Sequence, residues 1–145
     1  MKKCKKVMTQ SPVCCLPTDS VSEAAGLMKK ENIGAIPVVE NRLNNKLVGI
    51  ITDRDLALKI LADGLDATTT KVEAVMTRKM VTCRAKDDWQ SAQDLMSKHQ
   101  LRRIPVVDKD HRVVGIIAQA DVATRVNQPE KTAEMVKEIS QANEN

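Results

Sequence analysis

The chain has 145 residues, a formal net charge of +4 and an aromatic content of 1%, with no Phe, no Tyr and one Trp. This length allows one compact domain or two small domains that share a core. Nucleic-acid-binding proteins normally combine a basic surface with stacking aromatic side chains, so the composition argues against that class. The dense basic cluster at residues 2–6 is interpreted as a solvated segment, with nucleic-acid binding through this arm as the alternative that a steep salt dependence of binding would reveal. No apolar run reaches the roughly 18–20 residues of a membrane span, and we expect a cytoplasmic protein without a membrane contact.

The cysteine pattern does not indicate a metal or redox site. None of Cys4, Cys14, Cys15 and Cys83 forms a C-x-x-C pair, and neither histidine lies at ligand spacing from them. Three of the four lie in apolar, strand-like stretches, where a reduced cysteine packs as a small hydrophobic residue. We therefore expect no bound metal.

Taken in order, the first half of the chain predicts a strand, a helix, two strands and a second helix. The first helix begins with the capping-box pattern Ser20-Val21-Ser22-Glu23 and ends near Asn32 and Gly34. The second helix ends near Asp63, with Gly64 as its C-cap. The predicted elements are a strand at 13–16, a helix at 21–31, strands at 35–39 and 47–52, and a helix at 53–63.

The junction between the last strand and the last helix has almost no loop. An aliphatic run stops at Thr52, and helical spacing begins at once with Leu56, Leu58, Ile60 and Leu61, so two carboxylates and a hydroxyl lie at the junction. Such a junction concentrates backbone N–H donors and the positive end of a helix dipole, which favours an anion. Nearly the same sequence recurs at 112–122, so we read the function from this junction and its repeat.

The recurrence extends over most of the chain. Val75-Met76-Thr77 repeats Val7-Met8-Thr9, and residues 104–107 repeat residues 36–39 in the same order. We predict an α+β fold of two β-α-β-β-α repeats packed sheet to sheet with pseudo-two-fold symmetry. The expected divisions are a first repeat with its basic arm at 1–64, a linker at 65–74, a second repeat at 75–126 and a helical extension at 127–145. That extension is either a lid on the pair or a dimer contact.

These doubled motifs resemble a tandem pair of cystathionine-β-synthase-type (CBS) domains, the regulatory arrangement called a Bateman module. The resemblance covers about residues 7–126. It rests on four segments, each repeated in the second half: Val7-Met8-Thr9, residues 20–24, residues 34–39 and residues 49–56. It implies that adenine nucleotides or related adenosyl ligands bind in the clefts between the repeats and that the module pairs into a homodimer.

The resemblance also implies particular ligand contacts. Asp55 would accept hydrogen bonds from ribose hydroxyls, Thr52 would contact the ribose or a phosphate, and the backbone of residues 35–37 would hold the base. Asp121 matches Asp55, but Ala118 replaces Thr52, and a lost neutral hydroxyl contact costs about 1 kcal/mol, or about fivefold in affinity. The arginines offer planar donors to phosphate. The expected ligand-binding residues are Ala35, Ile36, Pro37, Thr52, Arg54, Asp55, Arg102, Arg103, Ile104, Pro105 and Asp121.

Each assignment has a structural alternative. Thr52 and Asp55 also form the pattern of a helix N-cap pair, and Asp121 can act as a simple dipole partner. Arg102 and Arg103 can belong to a solvated turn, and Trp89 is interpreted as a packing residue.

The predicted function is that of a stand-alone regulatory module. It would bind AMP, ADP, ATP or S-adenosyl methionine, require no cofactor, and signal through a separate effector protein or its own homodimer. The alternative is an interaction scaffold with degenerate clefts. We expect no catalytic residues, because no nucleophile with a spaced base, Walker lysine or metal cluster is recognisable in the sequence.

Overall fold

A computed structural model describes residues 2–125 and 129–141. Its mixture of helices and strands confirms the predicted α+β class. The chain divides into two compact units. The first-repeat unit is Pro12–Met80, and the second-repeat unit joins the residues up to Ser11 with those from Val81 onwards.

The elements follow the predicted order, with several additions. In chain order they are α1 (Cys4–Val7), β1 (Thr9–Gln10), α2 (Val21–Glu31), β2 (Ala35–Val39), β3 (Leu47–Thr52), α3 (Asp53–Asp55), a π-helix (Leu56–Leu61), α4 (Val72–Val75), β4 (Cys83–Arg84), α5 (Trp89–His99), β5 (Arg103–Val107), β6 (Val113–Ala118), α6 (Gln119–Arg125) and α7 (Pro129–Gln141).

In the first-repeat unit, local signals determine where α2 begins and ends. The Ser20 hydroxyl accepts a hydrogen bond from the Glu23 N–H at 3.1 Å, as the capping pattern predicts. Asn32 ends the helix in the left-handed conformation, with φ of 54°. Strands β2 and β3 then form a two-stranded antiparallel sheet in which Ala35 lies opposite Thr52.

The strand predicted at 13–16 is wrong as a full strand. Only Cys15 pairs, in a single bridge to Val38, through hydrogen bonds to Pro37 and Val39 of 3.0 and 2.9 Å. The next bonds of this parallel ladder would need N–H groups at Pro17 and Pro37, which proline lacks, so the ladder does not extend in either direction.

The second helix of this unit also differs from the prediction. It begins as α3, continues as the π-helix, and includes a hydrogen bond of 3.0 Å from the Ala62 N–H to the Ala57 carbonyl. This wider turn coincides with Lys59, whose Nζ reaches both Asp55 and the Val75 carbonyl oxygen. A π-turn inside a helix is rare and often lies at a functional position.

The second-repeat unit contains a four-stranded sheet in the order β1-β6-β5-β4. Strands β5 and β6 reproduce the antiparallel register of β2 and β3, including an irregularity between Val106 and Val107 that matches the one between Val38 and Val39. Helix α7 packs against α5 and α6, and its Met135 is fully buried.

The two Val-Met-Thr segments are placed by close backbone contacts at two glycines. Thr9 pairs with Ile116 beside Gly115, and Thr77 forms a bridge to Ile50 beside Gly49. Thus the segment that precedes the first repeat in sequence lies in the second-repeat unit, and the segment after α4 lies in the first-repeat unit.

Each unit has its own aliphatic core. Trp89 is 3% exposed within the second-repeat core, in agreement with its interpretation as a packing residue. No helix in the described part of the chain is long and apolar enough to cross a membrane. Fully buried side chains include Val21, Ile36, Val38 and Ile51 in the first-repeat unit, and Met96, Ile104, Ile117 and Ile139 in the second.

We expect Gly115→Ala to destabilise the protein by about 1–3 kcal/mol, because overpacking of a well-filled site forces neighbouring atoms to move. An added Cβ would lie 3.0 Å from the Thr9 carbonyl oxygen and would collide with the Met8 side chain. The free energy of unfolding, measured by urea titration with circular dichroism, tests this expectation.

The matched control is Gly26→Ala within α2, where nothing lies within 4 Å of the added Cβ. Alanine is the better helix former by about 0.5–1 kcal/mol, so this variant should be as stable as the wild type or more so. Equal stability of Gly115→Ala and wild type would show that the close contact at Gly115 is not a packing constraint.

Candidate functional site

In the first-repeat unit, a reciprocal pair of hydrogen bonds closes the strand-to-helix junction. The Thr52 hydroxyl accepts from the Asp55 N–H at 3.1 Å, and Asp55 Oδ2 accepts from the Thr52 N–H at 3.0 Å. The Asp53 N–H donates to the Gly34 carbonyl oxygen at 2.9 Å. This capping box shows that the structural role considered for Thr52 and Asp55 is present.

The Asp55 carboxylate is buried but remains paired with a flexible cation. The residue is 9% exposed, and Lys59 Nζ lies 3.2 Å from its Oδ1. The Lys59 side chain is 44% exposed, so this ion pair contributes at most about 1 kcal/mol. A carboxylate offers about four lone-pair sites, so a ligand hydroxyl can donate to Asp55 while the Thr52 amide stays bound.

Strand β2 forms the wall beside this junction. Ala35, Ile36 and Pro37 lie opposite Thr52, Ile51 and Ile50, respectively, and all three wall residues are buried. Ile36 is fully buried in the core of the unit. Its contribution to a ligand would therefore come from the backbone.

Arg54 lies between the two capping residues but takes no part in the capping box. Its side chain is exposed, and its backbone N–H donates to Asp53 Oδ1 at 2.9 Å. The junction therefore carries a guanidinium group at its solvent side. This placement is compatible with a phosphate contact and equally with a solvated helix start.

The second-repeat unit reproduces the junction without the hydroxyl. Asp121 Oδ2 accepts from the Ala118 N–H at 2.9 Å, and the Gln119 N–H donates to the Arg102 carbonyl oxygen at 2.9 Å. These two bonds match those made by Asp55 and Gly34 in the first-repeat unit. The carboxylate cap is thus retained, while Ala118 cannot provide the side-chain acceptor that Thr52 provides.

A pocket of about 320 Å³ opens beside this second junction. Arg103 lies opposite Ala118 across β5 and β6 and is half-buried, whereas Arg102 is exposed. Ile104 and Pro105 are buried in the adjoining strand, and Ile104 belongs to the core. The pocket is lined by Arg102, Arg103, Ala118, Gln119, Ala120, Ala123 and Val136.

The sequence analysis missed four of these lining residues: Gln119, Ala120, Ala123 and Val136. Gln119 directly follows β6, so its place in the repeated strand-to-helix motif could have identified it as a site residue. Val136 belongs to α7, which packs on α5 and α6 of the same unit. The amphipathic pattern of α7 indicated a covering role, but no local signal identified the pocket that it borders.

The expected site residues therefore form two groups, one in each unit. One group surrounds the junction at Thr52 and Asp55, and the other surrounds the junction at Ala118 and Asp121. Among residues 2–125 and 129–141, no group of three or more His, Cys, Asp or Glu side chains is arranged to hold a metal ion. Each junction offers a carboxylate, backbone amides and an arginine, a donor and acceptor set suited to hydroxyl and phosphate groups.

Comparison with known proteins supports the sequence resemblance. The family model for the CBS domain matches residues 4–62 and 72–127. The CBS domain-containing protein YhcV of Bacillus subtilis is 38% identical over 143 residues, which cover 99% of this chain and 99% of that protein.

Two solved structures extend the comparison to three dimensions. The CBS domain pair of protein MJ0100, in complex with 5-methylthioadenosine and S-adenosyl-L-methionine, has a TM-score of 0.76 and 33% identity, covering 85% of this chain and 94% of that one. Hypoxic Response Protein I, with two coordinated zinc ions, has a TM-score of 0.77 and 31% identity, covering 86% and 99%. The family model matches both repeats, and the two solved structures share the fold. The chain therefore belongs to the CBS domain family and contains two CBS domains.

Proposed function

We propose that this CBS pair is a non-catalytic regulatory module that binds an adenosyl ligand at its strand-to-helix junctions. The observation that carries the proposal is the aspartate-capped junction, which occurs in both units with the same backbone hydrogen bonds. The similarity to MJ0100, whose pair holds two adenosyl compounds, supports the ligand class. A cytoplasmic location is part of this proposal.

The chemistry of the junction fits a ribose with an attached charged group. The Asp55 or Asp121 carboxylate would accept from ribose hydroxyls, a charge-assisted hydrogen bond worth about 1.5–3 kcal/mol. The backbone of β2 or β5 would lie beside the base. No cofactor is required in this scheme, since a ligand that binds one conformation more tightly than another shifts the population towards it.

The second-repeat pocket favours a ligand that carries phosphate. Arg103 and Arg102 place two guanidinium groups at its rim, and a guanidinium fork matches phosphate oxygens. Its volume of about 320 Å³ lies at the lower end of the range of small-molecule sites. AMP, ADP and ATP are therefore the candidates for this pocket. S-adenosyl methionine is the candidate for the first junction, which lacks the paired arginines.

The output of binding would pass to a second molecule. We propose a homodimer, with a separate effector protein as the further partner. The observation that supports the homodimer is three exposed leucines close together in the sequence of the first-repeat unit, here called the leucine patch: Leu58, Leu61 and Leu65 are 51%, 80% and 46% exposed. Large side chains exposed together are typical of an interaction surface.

An interaction scaffold without a ligand is the second candidate. It is favoured by the capping box, in which the Thr52 hydroxyl and both Asp55 carboxylate oxygens already have partners. Ala118 favours it as well, since the second junction lacks the hydroxyl. Under this alternative the junction residues would serve stability only.

We expect Asp55→Asn to weaken binding of an adenosyl ligand at the first junction by about 10- to 100-fold, because a charge-assisted hydrogen bond becomes a neutral one. Asp121→Asn should do the same at the second junction. Isothermal titration of each variant with AMP, ATP and S-adenosyl methionine measures both effects. Asparagine keeps one oxygen that can accept the strand-end amide.

The matched control is Asp53→Asn, which removes a charge at the same helix start. Asp53 takes no part in the capping box, and its Oδ1 accepts a hydrogen bond from the adjacent Arg54 N–H. Its affinity should stay within about twofold of wild type. Unchanged affinity in both the Asp55 and Asp121 variants would contradict the assignment to the junctions. No heat and no change in melting temperature with any of the three ligands would favour the scaffold.

We expect Ala118→Thr to strengthen binding at the second junction by about fivefold, which corresponds to one neutral hydroxyl contact of about 1 kcal/mol. The same hydroxyl should also cap α6 and raise the free energy of unfolding of the unliganded protein by about 1 kcal/mol. Titration and urea unfolding separate these two effects. A gain in stability with unchanged affinity would show that the hydroxyl at this position is a cap and not a ligand contact.

We expect Leu61→Glu to weaken homodimerisation by about tenfold or more, since burying the leucine side chain contributes about 1.5–3 kcal/mol. Sedimentation equilibrium measures the dimer dissociation constant. Leu43→Glu is the control, because Leu43 is 100% exposed on the turn between β2 and β3, outside the leucine patch. A dimer equally tight in both variants would place the interface elsewhere.

A further inference from the structure

One lysine side chain in the first-repeat unit has two partners that belong to different parts of the fold. Lys59 Nζ lies 3.2 Å from Asp55 Oδ1 and donates a hydrogen bond of 2.8 Å to the Val75 carbonyl oxygen. Asp55 is the carboxylate of the first junction, and Val75 is the last residue of α4. A single ammonium group therefore joins the candidate ligand site to a helix outside it.

The helix that carries Lys59 also differs from its counterpart in the second-repeat unit. Lys59 lies within the π-helix Leu56–Leu61, whereas α6, which follows the second junction, is α-helical. π-turns are rare and are frequently found at functional sites. The helix geometry and the ion pair thus distinguish the first junction from the second at the same position.

The contact with Val75 satisfies a carbonyl at the end of α4. The last carbonyls of a helix have no intrahelical donor, and lysine side chains near the end can provide one. In α4 the Val72 carbonyl oxygen accepts from the Met76 N–H at 2.9 Å, and the Val75 carbonyl oxygen accepts from Lys59. Val75 is 5% exposed. Lys59 therefore stabilises the C-terminal end of α4.

Helix α4 is the last helix of the first-repeat unit before the chain enters the second. Two residues after Val75, Thr77 exchanges two backbone hydrogen bonds of 2.9 Å with Ile50 of β3. The chain leaves the first-repeat unit after Met80. A change in the contact made by Lys59 would therefore act on the backbone that leads from one unit to the other.

The two carboxylate oxygens of Asp55 have different partners. Oδ2 accepts from the Thr52 N–H at 3.0 Å and closes the junction, whereas Oδ1 carries the ion pair to Lys59. Oδ1 is thus the oxygen that can accept from a ligand hydroxyl without competing with the strand-end amide. A hydroxyl and the ammonium group would then share one acceptor, so each contact would weaken the other.

We propose, on the basis of the adenosyl binding proposed for Asp55, that Lys59 is a positioning residue that couples occupancy of the first junction to the anchoring of α4. Ordering a lysine side chain costs conformational entropy, and its two contacts share that cost. When a ligand hydroxyl takes part of Oδ1, the contact with the Val75 carbonyl bears more of the cost and is made less often. By linkage, ligand and contact weaken each other by the same factor.

The size of this coupling is limited by the ion pair. The Lys59 side chain is 44% exposed, and an ion pair of this exposure changes an equilibrium by about fivefold at most. The coupling would therefore adjust the end of α4 without unfolding it. Local exchange of backbone amides with solvent is the measurement that detects a change of this size.

The experiment measures hydrogen exchange by NMR at the Met76 and Thr77 amides of the full chain. The protein is compared free and at saturation with AMP, ATP and S-adenosyl methionine in turn. We expect exchange at both amides to become about two- to fivefold faster with a ligand that binds. Binding by itself stabilises the folded state and slows exchange through global unfolding, so local acceleration is specific to the coupling.

Lys59→Met removes the charge and keeps an unbranched side chain. Without ligand, exchange at Met76 and Thr77 should already be about two- to fivefold faster than in the wild type, and a ligand should cause no further acceleration. The affinity should rise by up to about fivefold, because nothing competes for Asp55 Oδ1. Lys71→Met is the matched control, since Lys71 is exposed directly before α4 and its side chain makes no capping hydrogen bond. Its exchange rates and affinity should equal those of the wild type.

The outcomes separate this coupling from the proposed function. A ligand that binds but leaves exchange at Met76 and Thr77 unchanged or slower would overturn the coupling alone. Weaker affinity in Lys59→Met would also overturn it, because Lys59 would then support the ligand. No heat and no change in melting temperature with any of the three ligands would overturn the proposed function and the coupling together. The wild-type comparison needs no variant, so a Lys59→Met protein that fails to fold leaves the test intact.

Discussion

The interaction on which both junctions depend is the hydrogen bond between an aspartate carboxylate and the last backbone amide of a strand. Asp55 makes it to Thr52 at 3.0 Å, and Asp121 makes it to Ala118 at 2.9 Å. The bond allows the chain to pass from strand to helix without a loop, because it satisfies an amide that neither element can pair. It also places a carboxylate where amide donors converge. Since it survives the loss of the threonine hydroxyl, the aspartate is the constant element of the two junctions.

Local signals determine most of the fold, and these were predictable from the sequence. The Ser20 cap, the left-handed Asn32 and the strand Ala35–Val39 depend on residues a few positions apart, so patterns of capping, turns and alternation identify them. The strand expected at 13–16 shows the limit of such signals, because the missing N–H groups of Pro17 and Pro37 restrict pairing to Cys15. The π-helix Leu56–Leu61 is a further case, since an α-helical apolar pattern does not distinguish the two forms.

Long-range placement was much less predictable. The repeat identifies Val7-Met8-Thr9 and Val75-Met76-Thr77 as equivalent, but similarity does not determine which sheet each segment joins. The absence of a side chain at Gly115 and Gly49 lets the Thr9 and Thr77 backbones come close, but it does so in both sheets and therefore does not select the segment. The same reasoning applies to the candidate site. Asp55 and Asp121 were identified from a motif, whereas Val136 reaches its pocket through helix packing that no local pattern encodes.

The two units share the register of one strand pair and the aspartate-capped junction, but their side chains make the two junctions chemically different. The first junction keeps its hydroxyl and adds an ion pair to Lys59, whereas the second has no hydroxyl but has Arg102 and Arg103 at its pocket. In each unit a short helix and the threonine that follows it join the two sides of the sheet: α4 with Thr77 in the first-repeat unit, and α1 with Thr9 in the second, where α1 also contacts α6. Helix α6 carries both Asp121 and part of the pocket lining. Because α1 contacts α6, the first residues of the chain pack on the same helix that lines the pocket of the second-repeat unit.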